Sequence, residues 1–186
     1  MDSYTHAPVL PSAADATAYM ELVLLSNEAV KLTKSSKFAE AEPILRDVLR
    51  RKPTAGFDEV SVALTKNELG SVLRQLGQYE EALQLLNEAL EVRERYDEAV
   101  GITIALRDGN LTREEIAKVY EANGDCAKAL ETREKGKRIC GSDACEALDY
   151  EKLHACTRCK SVFYCGKQCQ GQDWRTRHRP LCQKAP

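Results

Sequence analysis

The chain has 186 residues, 43% hydrophobic and 30% charged, with a formal net charge of −2 and eight cysteines. This fits a soluble globular protein with one medium domain and a small module, and it leaves little chain for a large catalytic domain. No run approaches the roughly 18 apolar residues that span a membrane; the best apolar patch, "MELVLL" (20–25), is far too short.

Residues 1–17 read as a flexible N-terminal tail. They begin "MDSYTHAPVLPSAADA", with an acid at position 2, two prolines and no basic n-region, so no secretory signal is expected. The expected compartment is the reducing one, cytoplasmic and/or nuclear, where disulfides are rare. Cysteines there point to metal.

From 18 to 139 helical patterns alternate with short breaks. Three segments align as an internal repeat: "KFAEAEPILRDVL" (37–49), "QYEEALQLLNEAL" (78–90) and "DCAKALETREKG" (125–136). Each follows a helix-like segment ending at "KSS", "QLG" or "ANG". In the second, Tyr79, Ala82, Leu83, Leu86, Ala89 and Leu90 recur at helical spacing and form a one-sided apolar stripe. Ala41, Ala82 and Ala129 each follow Phe38, Tyr79 or Cys126 by three residues, where paired helices need to approach closely. "ALRDGN" (105–110) marks a break, and Thr112 with Glu115 predicts a capping box at the start of the next helix.

This pattern resembles the tetratricopeptide repeat, a helix–turn–helix unit of about 34 residues. Leu69, Gly70, Gly77, Tyr79, Ala82 and Ala89 fall on its signature positions. The first repeat (about 22–55) keeps Phe38, Ala41 and Pro53 but lacks both turn glycines; the third (about 110–139) keeps Tyr120, Gly124 and Ala129. The turn positions Ser36, Gly77 and Gly124 lie 41 and 47 residues apart, so helices or loops are longer than the minimum. The bland alternative is an ordinary antiparallel helical bundle.

The C-terminal part carries the chemistry. The ligand types run Cys140-x4-Cys145-x10-Cys156-x2-Cys159-x5-Cys165-x3-Cys169-x8-His178-x3-Cys182. Eight N/S donors make two sets of four, the coordination of closed structural zinc sites, so two structural zinc ions and no catalytic metal are expected. The three-residue gaps after Cys165 and His178 place each pair on one helix face. Cys126 lies at an apolar repeat position and reads as a small core residue; His154 beside Cys156 is a weaker competing ligand, and His6 lies in the tail.

"CTRCKSVFYCGKQCQGQDW" resembles the MYND-type zinc finger, with Tyr164 before the fifth ligand and a "CQ…DW" segment at Cys169, Gln170, Asp173 and Trp174. The resemblance covers 140–182 and leaves 183–186 as a C-terminal tail. It implies interleaved ligands: Cys140, Cys145, Cys165 and Cys169 on one zinc, Cys156, Cys159, His178 and Cys182 on the other. It also implies a groove for short proline-containing peptides at Thr157, Gln170 and Trp174, beside "SVFY" (161–164), where an extended peptide could add to a strand. The chain departs from the family twice. The first pair is spaced x4 where x2 is common, and three residues rather than two separate Trp174 from His178. One inserted residue rotates a helix by roughly 100°, so the helix begins later or carries a bulge, and Trp174 faces either the groove or the core. RING fingers place their histidine mid-series and HIT-type fingers lack the "DW", so ubiquitin ligase activity is not expected.

The fold class expected is mostly α, a tetratricopeptide-like antiparallel repeat array followed by a small two-zinc finger. The leading function is a zinc-binding protein–protein interaction adaptor: the finger docks proline-containing peptides, the array docks a second partner, and there is no catalytic site. One alternative is a remnant or relative of the SET/MYND lysine methyltransferases without the catalytic domain. The other is a co-chaperone that binds chaperone tails, but its Lys, Asn and Arg positions are held here by Ser26, Val30, Glu68, Leu111 and Glu115. Residues 140–186 carry eight basic and five acidic residues, a net of +3. Seven thiolates and two zinc ions bring that near zero, which removes the phosphate-driven term of nucleic-acid binding.

Overall fold

The computed structural model describes residues 13–101, 108–145, 147 and 150–183. Residues 1–12, the first half of "ALRDGN" and the last three residues lie outside them, and so does His6.

Six helices come first: α1 (Ala13–Lys34), α2 (Phe38–Arg51), α3 (Glu59–Gln75), α4 (Tyr79–Ala99), α5 (Asp108–Ala122) and α6 (Cys126–Glu134). They pack in sequence as three hairpins, α1/α2, α3/α4 and α5/α6, with α2 against α3 and α4 against α5. The first helix starts inside the stretch read as a tail. "AADATA" is rich in alanine, the strongest helix former, and Asp15 lies in the first turn where a carboxylate suits the helix dipole.

The repeat is visible at atomic level in its turns. Ser36, Gly77 and Gly124 all adopt left-handed backbone, at φ 59°, 78° and 82°. In each hairpin the next amide reaches back across the turn: Lys37 to the Leu32 carbonyl, Gln78 to Leu73 and Asp125 to Tyr120. This is the same helix-terminating motif three times. In the first repeat a serine takes the conformation that glycine takes in the others.

Ala41, Ala82 and Ala129 are fully buried, and each amide bonds the residue just before its helix. Gly70 of α3 meets α4 so closely that a Cβ there would lie 2.6 Å from Leu86 Cγ. The apolar core runs through Ala29, Leu45, Leu69, Val72, Leu73, Leu86, Ile116 and Val119. The wide spacing between the second and third turns comes from α4, which at 21 residues outlasts α2 with its 14.

The expected capping box does not form. Helix α5 begins at Asp108, so Thr112 lies in its second turn, where its hydroxyl donates to the Asp108 carbonyl. The start of the helix is held instead by the buried Asp97 of α4, which accepts the Gly109 N–H at 2.7 Å. A carboxylate from a neighbouring helix satisfies the orphan amide that a local cap would have served. Glu115 turns to Arg74 and Lys118.

The finger follows. A two-stranded antiparallel ribbon pairs β1 (His154–Ala155) with β2 (Phe163–Tyr164), His154 opposite Tyr164. A continuous helical run closes the chain: α7 (Lys167–Asp173), a π-helical turn (Trp174–His178) and α8 (Arg179–Leu181). The π turn absorbs the residue inserted between Trp174 and His178. A π-bulge takes up one extra residue without resetting the helix on either side, so the bulge is the alternative the fold adopts. The mostly helical array with a small finger appended matches the expected fold class.

Candidate metal centre and finger surface

The eight donors converge into the two interleaved sets. Cys140, Cys145, Cys165 and Cys169 bring their sulfurs together, and Cys156, Cys159, His178 and Cys182 do the same, all donor atoms of a set lying within 4.8 Å of one another. Zinc–sulfur bonds of 2.3 Å at tetrahedral angles require sulfurs about 3.8 Å apart. The observed separations are 3.7 Å for Cys145–Cys165, 3.5 Å for Cys165–Cys169 and 3.8 Å for Cys156–Cys182. His178 Nε2 lies 3.4 Å from Cys159 Sγ. Both donor sets therefore fit a four-coordinate zinc ion with no position left open.

Local structure aims each ligand. Cys156 and Cys159 flank a tight turn in which the Lys160 amide bonds the Cys156 carbonyl at 3.0 Å and Lys160 takes a positive φ of 61°. The Cys182 amide bonds the His178 carbonyl at 2.9 Å, so this pair shares one helix face as its spacing predicts. Cys165 does not share a helix with Cys169. It ends the ribbon, extended Gly166 intervenes, and only Cys169 sits on α7, because the strand must first turn before a helix can start.

Six of the ligand thiols are shifted by their surroundings. Burial pushes Cys140 up, Cys169 up to about 11 and Cys182 up to about 12. For Cys159 the bonds from His178 and Ser161 outweigh burial and hold the thiol below its ordinary value. Cys145 and Cys156 lie low as well, since hydrogen bonds from neighbouring backbone and side chains overcome their burial. Neighbouring thiolates repel one another. A bound dication would let all of them ionise, and that coupling makes zinc binding a source of folding energy.

His154 is exposed on β1 and outside both sets. Cys126 is also outside them, and it is not a core residue. It is half-buried, with Sγ 3.7 Å from the Leu181 carbonyl at the end of the finger, because the start of α6 faces the finger rather than the repeat core.

The residues proposed for peptide contact lie at the surface to different degrees. Thr157 is exposed on the Cys156–Cys159 turn, and Gln170 and Trp174 are half-buried. Gln170 and Trp174 stand one turn apart on the same helical run. The indole packs on the finger's core and meets the His178 ring edge-on, centroids 5.9 Å apart, while part of it stays in solvent. "SVFY" is not an open strand. Ser161 through Tyr164 are buried, β1 covers one edge, and the Gly141 amide takes the Phe163 carbonyl. Among the described residues the ribbon has only these two strands.

The joint between array and finger is not among the sites read from the sequence. Arg133 of α6, 3% exposed, grips Glu114 through two bonds of 2.7 Å, Glu121 at 2.6 Å and the Ser161 carbonyl at 2.7 Å. Glu121 also pairs with Arg177 of the π turn, which chelates Asp173; Tyr164 donates its hydroxyl to Asp173 at 2.7 Å. Burial alone would raise the Glu121 carboxyl, but Arg133 and Arg177 outweigh it and bring it down to about 2. The available signal was Glu114 and Glu121 seven residues apart, hence on one face of a helix, with an arginine on the next helix.

Comparison with known proteins follows this division. Residues 139–182 match the MYND finger and residues 61–108 the tetratricopeptide repeat. One curated relative, ubiquitin carboxyl-terminal hydrolase 19 of Arabidopsis thaliana, is 29% identical over 66 residues. That stretch is 36% of this chain and 10% of the hydrolase, so the chain spans only a small part of that relative's length. The chain thus joins tetratricopeptide repeats to a MYND zinc finger. It is a zinc-binding protein-interaction module whose two Cys/His clusters fit two zinc ions.

Proposed function

We propose that the protein is a non-catalytic adaptor, cytoplasmic and/or nuclear, whose finger docks short proline-containing peptides while its helical array holds a second protein. The observation that carries this reading is the partly buried indole of Trp174, which keeps some surface in solvent one helical turn from Gln170 on the same run. An aromatic ring with one apolar face free is the usual anchor for such peptides. The donor sets, each complete with four ligands, favour structural over catalytic zinc. The near-neutral charge of the zinc-loaded finger favours protein over nucleic acid as partner. The hydrolase relative is matched over too little of its length to lend its activity to this chain.

The test is a titration of labelled proline-containing peptide into wild type and Trp174→Ala, with zinc measured on both. Binding should weaken roughly thirtyfold, the loss of about 2 kcal/mol typical of an aromatic anchor, with both zincs retained. Thr157→Ala should cost less, about one hydrogen bond. Zinc loss in Trp174→Ala would make the tryptophan a core residue; full affinity with zinc retained would move the groove elsewhere.

A further inference from the structure

A cleft of about 610 Å³ opens where the array meets the finger. Its walls come from α1, α3, α5 and Arg93 of α4 on one side and from the loop carrying Cys140 and Cys145 on the other. Among the described residues, five buried side-chain polar atoms have no hydrogen-bond partner, and three of them, Thr33 Oγ1, Asn67 Oδ1 and Arg93 Nε, belong to residues lining this cleft. Buried polar groups are normally paired, so such a cluster needs an explanation.

We propose that this cleft receives a lysine or arginine side chain from a partner protein. Charge complementarity decides the sign. Every other charged side chain in the wall is already matched: Glu114 to Arg133, Glu115 to Arg74 and Lys118, Lys118 also to Asp143, and Arg93 to Asp108 at 2.8 Å. Glu68 lines the same cleft and has no hydrogen bond or ion pair among the described residues. Burial holds its carboxyl above the ordinary value, and the more distant charges of Arg93, Lys52 and Lys34 counter this only in part, without an ion pair to Glu68 among the described residues. With zinc bound, the all-cysteine set beside it adds a formal charge of about −2, four thiolates against one dication.

Hydrogen-bond chemistry agrees with the sign. Glu68, Asn67 Oδ1 and Thr33 Oγ1 all accept, which suits the several donors of an ammonium or guanidinium. The Arg93 Nε–H, an orphaned donor 4% exposed as a residue, suits a carbonyl of the same peptide. Leu64, Leu111 and Ile139 in the lining suit the apolar stem of the long basic side chain. This is the opposite charge preference from a site for acidic chaperone tails.

The inference rests on the adaptor reading, and its test is kept separate from that of the finger groove. Zinc-loaded full chain is screened against pools of short peptides fixed at one position as lysine, arginine, norleucine or glutamate, with the other positions randomised. Lysine or arginine pools should bind about tenfold tighter than norleucine pools, the ratio one charge-assisted hydrogen bond supports. Glu68→Gln, which keeps the shape and removes the charge, should abolish that preference while zinc content and proline-peptide binding stay unchanged. Thr33→Val should reduce it less. An absent preference, one that survives Glu68→Gln, or one lost equally in the exposed control Glu151→Gln would overturn the proposal. Trp174→Ala should leave the basic preference intact, so the finger reading and this one fail independently.

Discussion

Between α3 and α4 the apolar core is built of Leu69, Val72, Leu73, Ala82 and Leu86. In the finger the corresponding interior holds Cys140, Cys156, Cys159 and Cys182, with Val162 and Tyr164 beside them and Tyr150, Leu153 and Trp174 packed against the cluster. The hairpin is held by removing hydrocarbon from water and by a glycine that lets two helices touch. A finger of this size cannot bury enough apolar surface to fold by that route. Its interior is made of ligands, and its cohesion comes from metal. The joint between the regions uses a third device, a buried ion network anchored on Arg133. There Arg133 and Arg177 more than offset the burial of the Glu121 charge, and removing either side would leave a desolvated charge without its partner.

The largest effect that tests this contrast is zinc removal. Apparent binding energies of structural zinc in small fingers run to about 10–16 kcal/mol, so a strong chelator should unfold the finger, residues 140–182, outright. Because Arg133 and Glu121 lean on Ser161 and Arg177, α5 and α6 should lose part of their hydrogen-exchange protection while α3 and α4 keep theirs. Elemental analysis before chelation should read near two zincs per chain. Protection unchanged in α5 and α6 would show that the regions are independent.

Next is the joint. Arg133→Met leaves Glu114 and Glu121 desolvated with partners missing and should destabilise by about 3–5 kcal/mol in denaturant titration. The exposed pair Arg95–Glu59, whose side chains are 56% and 65% exposed, provides the contrast: Arg95→Met should change stability by less than about 1 kcal/mol.

The same network predicts a pH dependence. The folded carboxyl of Glu121 lies at about 2, below its ordinary 4.5. A lowered folded value stabilises above about pH 4.5, and that contribution is lost as pH falls toward 2. It amounts to on the order of 3 kcal/mol near neutrality. The stability difference between wild type and Glu121→Gln, measured across pH, should shrink below about pH 5; a flat difference would mean the charge on Glu121 is not what matters.

The smallest effects lie in the repeat turns. Gly77 has a positive φ and nothing within 4 Å of an added Cβ, so Gly77→Ala should cost about 1 kcal/mol of purely conformational strain. Ser36→Gly should gain up to about 1 kcal/mol by the same logic, reduced by the freedom glycine adds to the unfolded chain. Opposite signs in thermal unfolding would support the equivalence of the two turns.

What the sequence by itself determined is local. Helix faces follow from apolar residues three and four apart, turns from Gly77 and Gly124, and the ligand pairs from gaps of two to four residues, because each of these depends on neighbours along the chain. Tertiary structure decided the rest. Thr112 reads as a cap only until Asp97 of another helix reaches the Gly109 amide first. Cys126 reads as core only until the finger's Leu181 carbonyl comes against it. The insertion before His178 left two helix geometries open, and the π turn was chosen where Arg177 must meet both Asp173 and Glu121. Arg133 and its carboxylates looked like ordinary helix-surface charges, since what buries them is a finger 28 residues further along the chain. Short-range spacing is written in the sequence, whereas the partner of a buried charge is fixed only when distant segments pack.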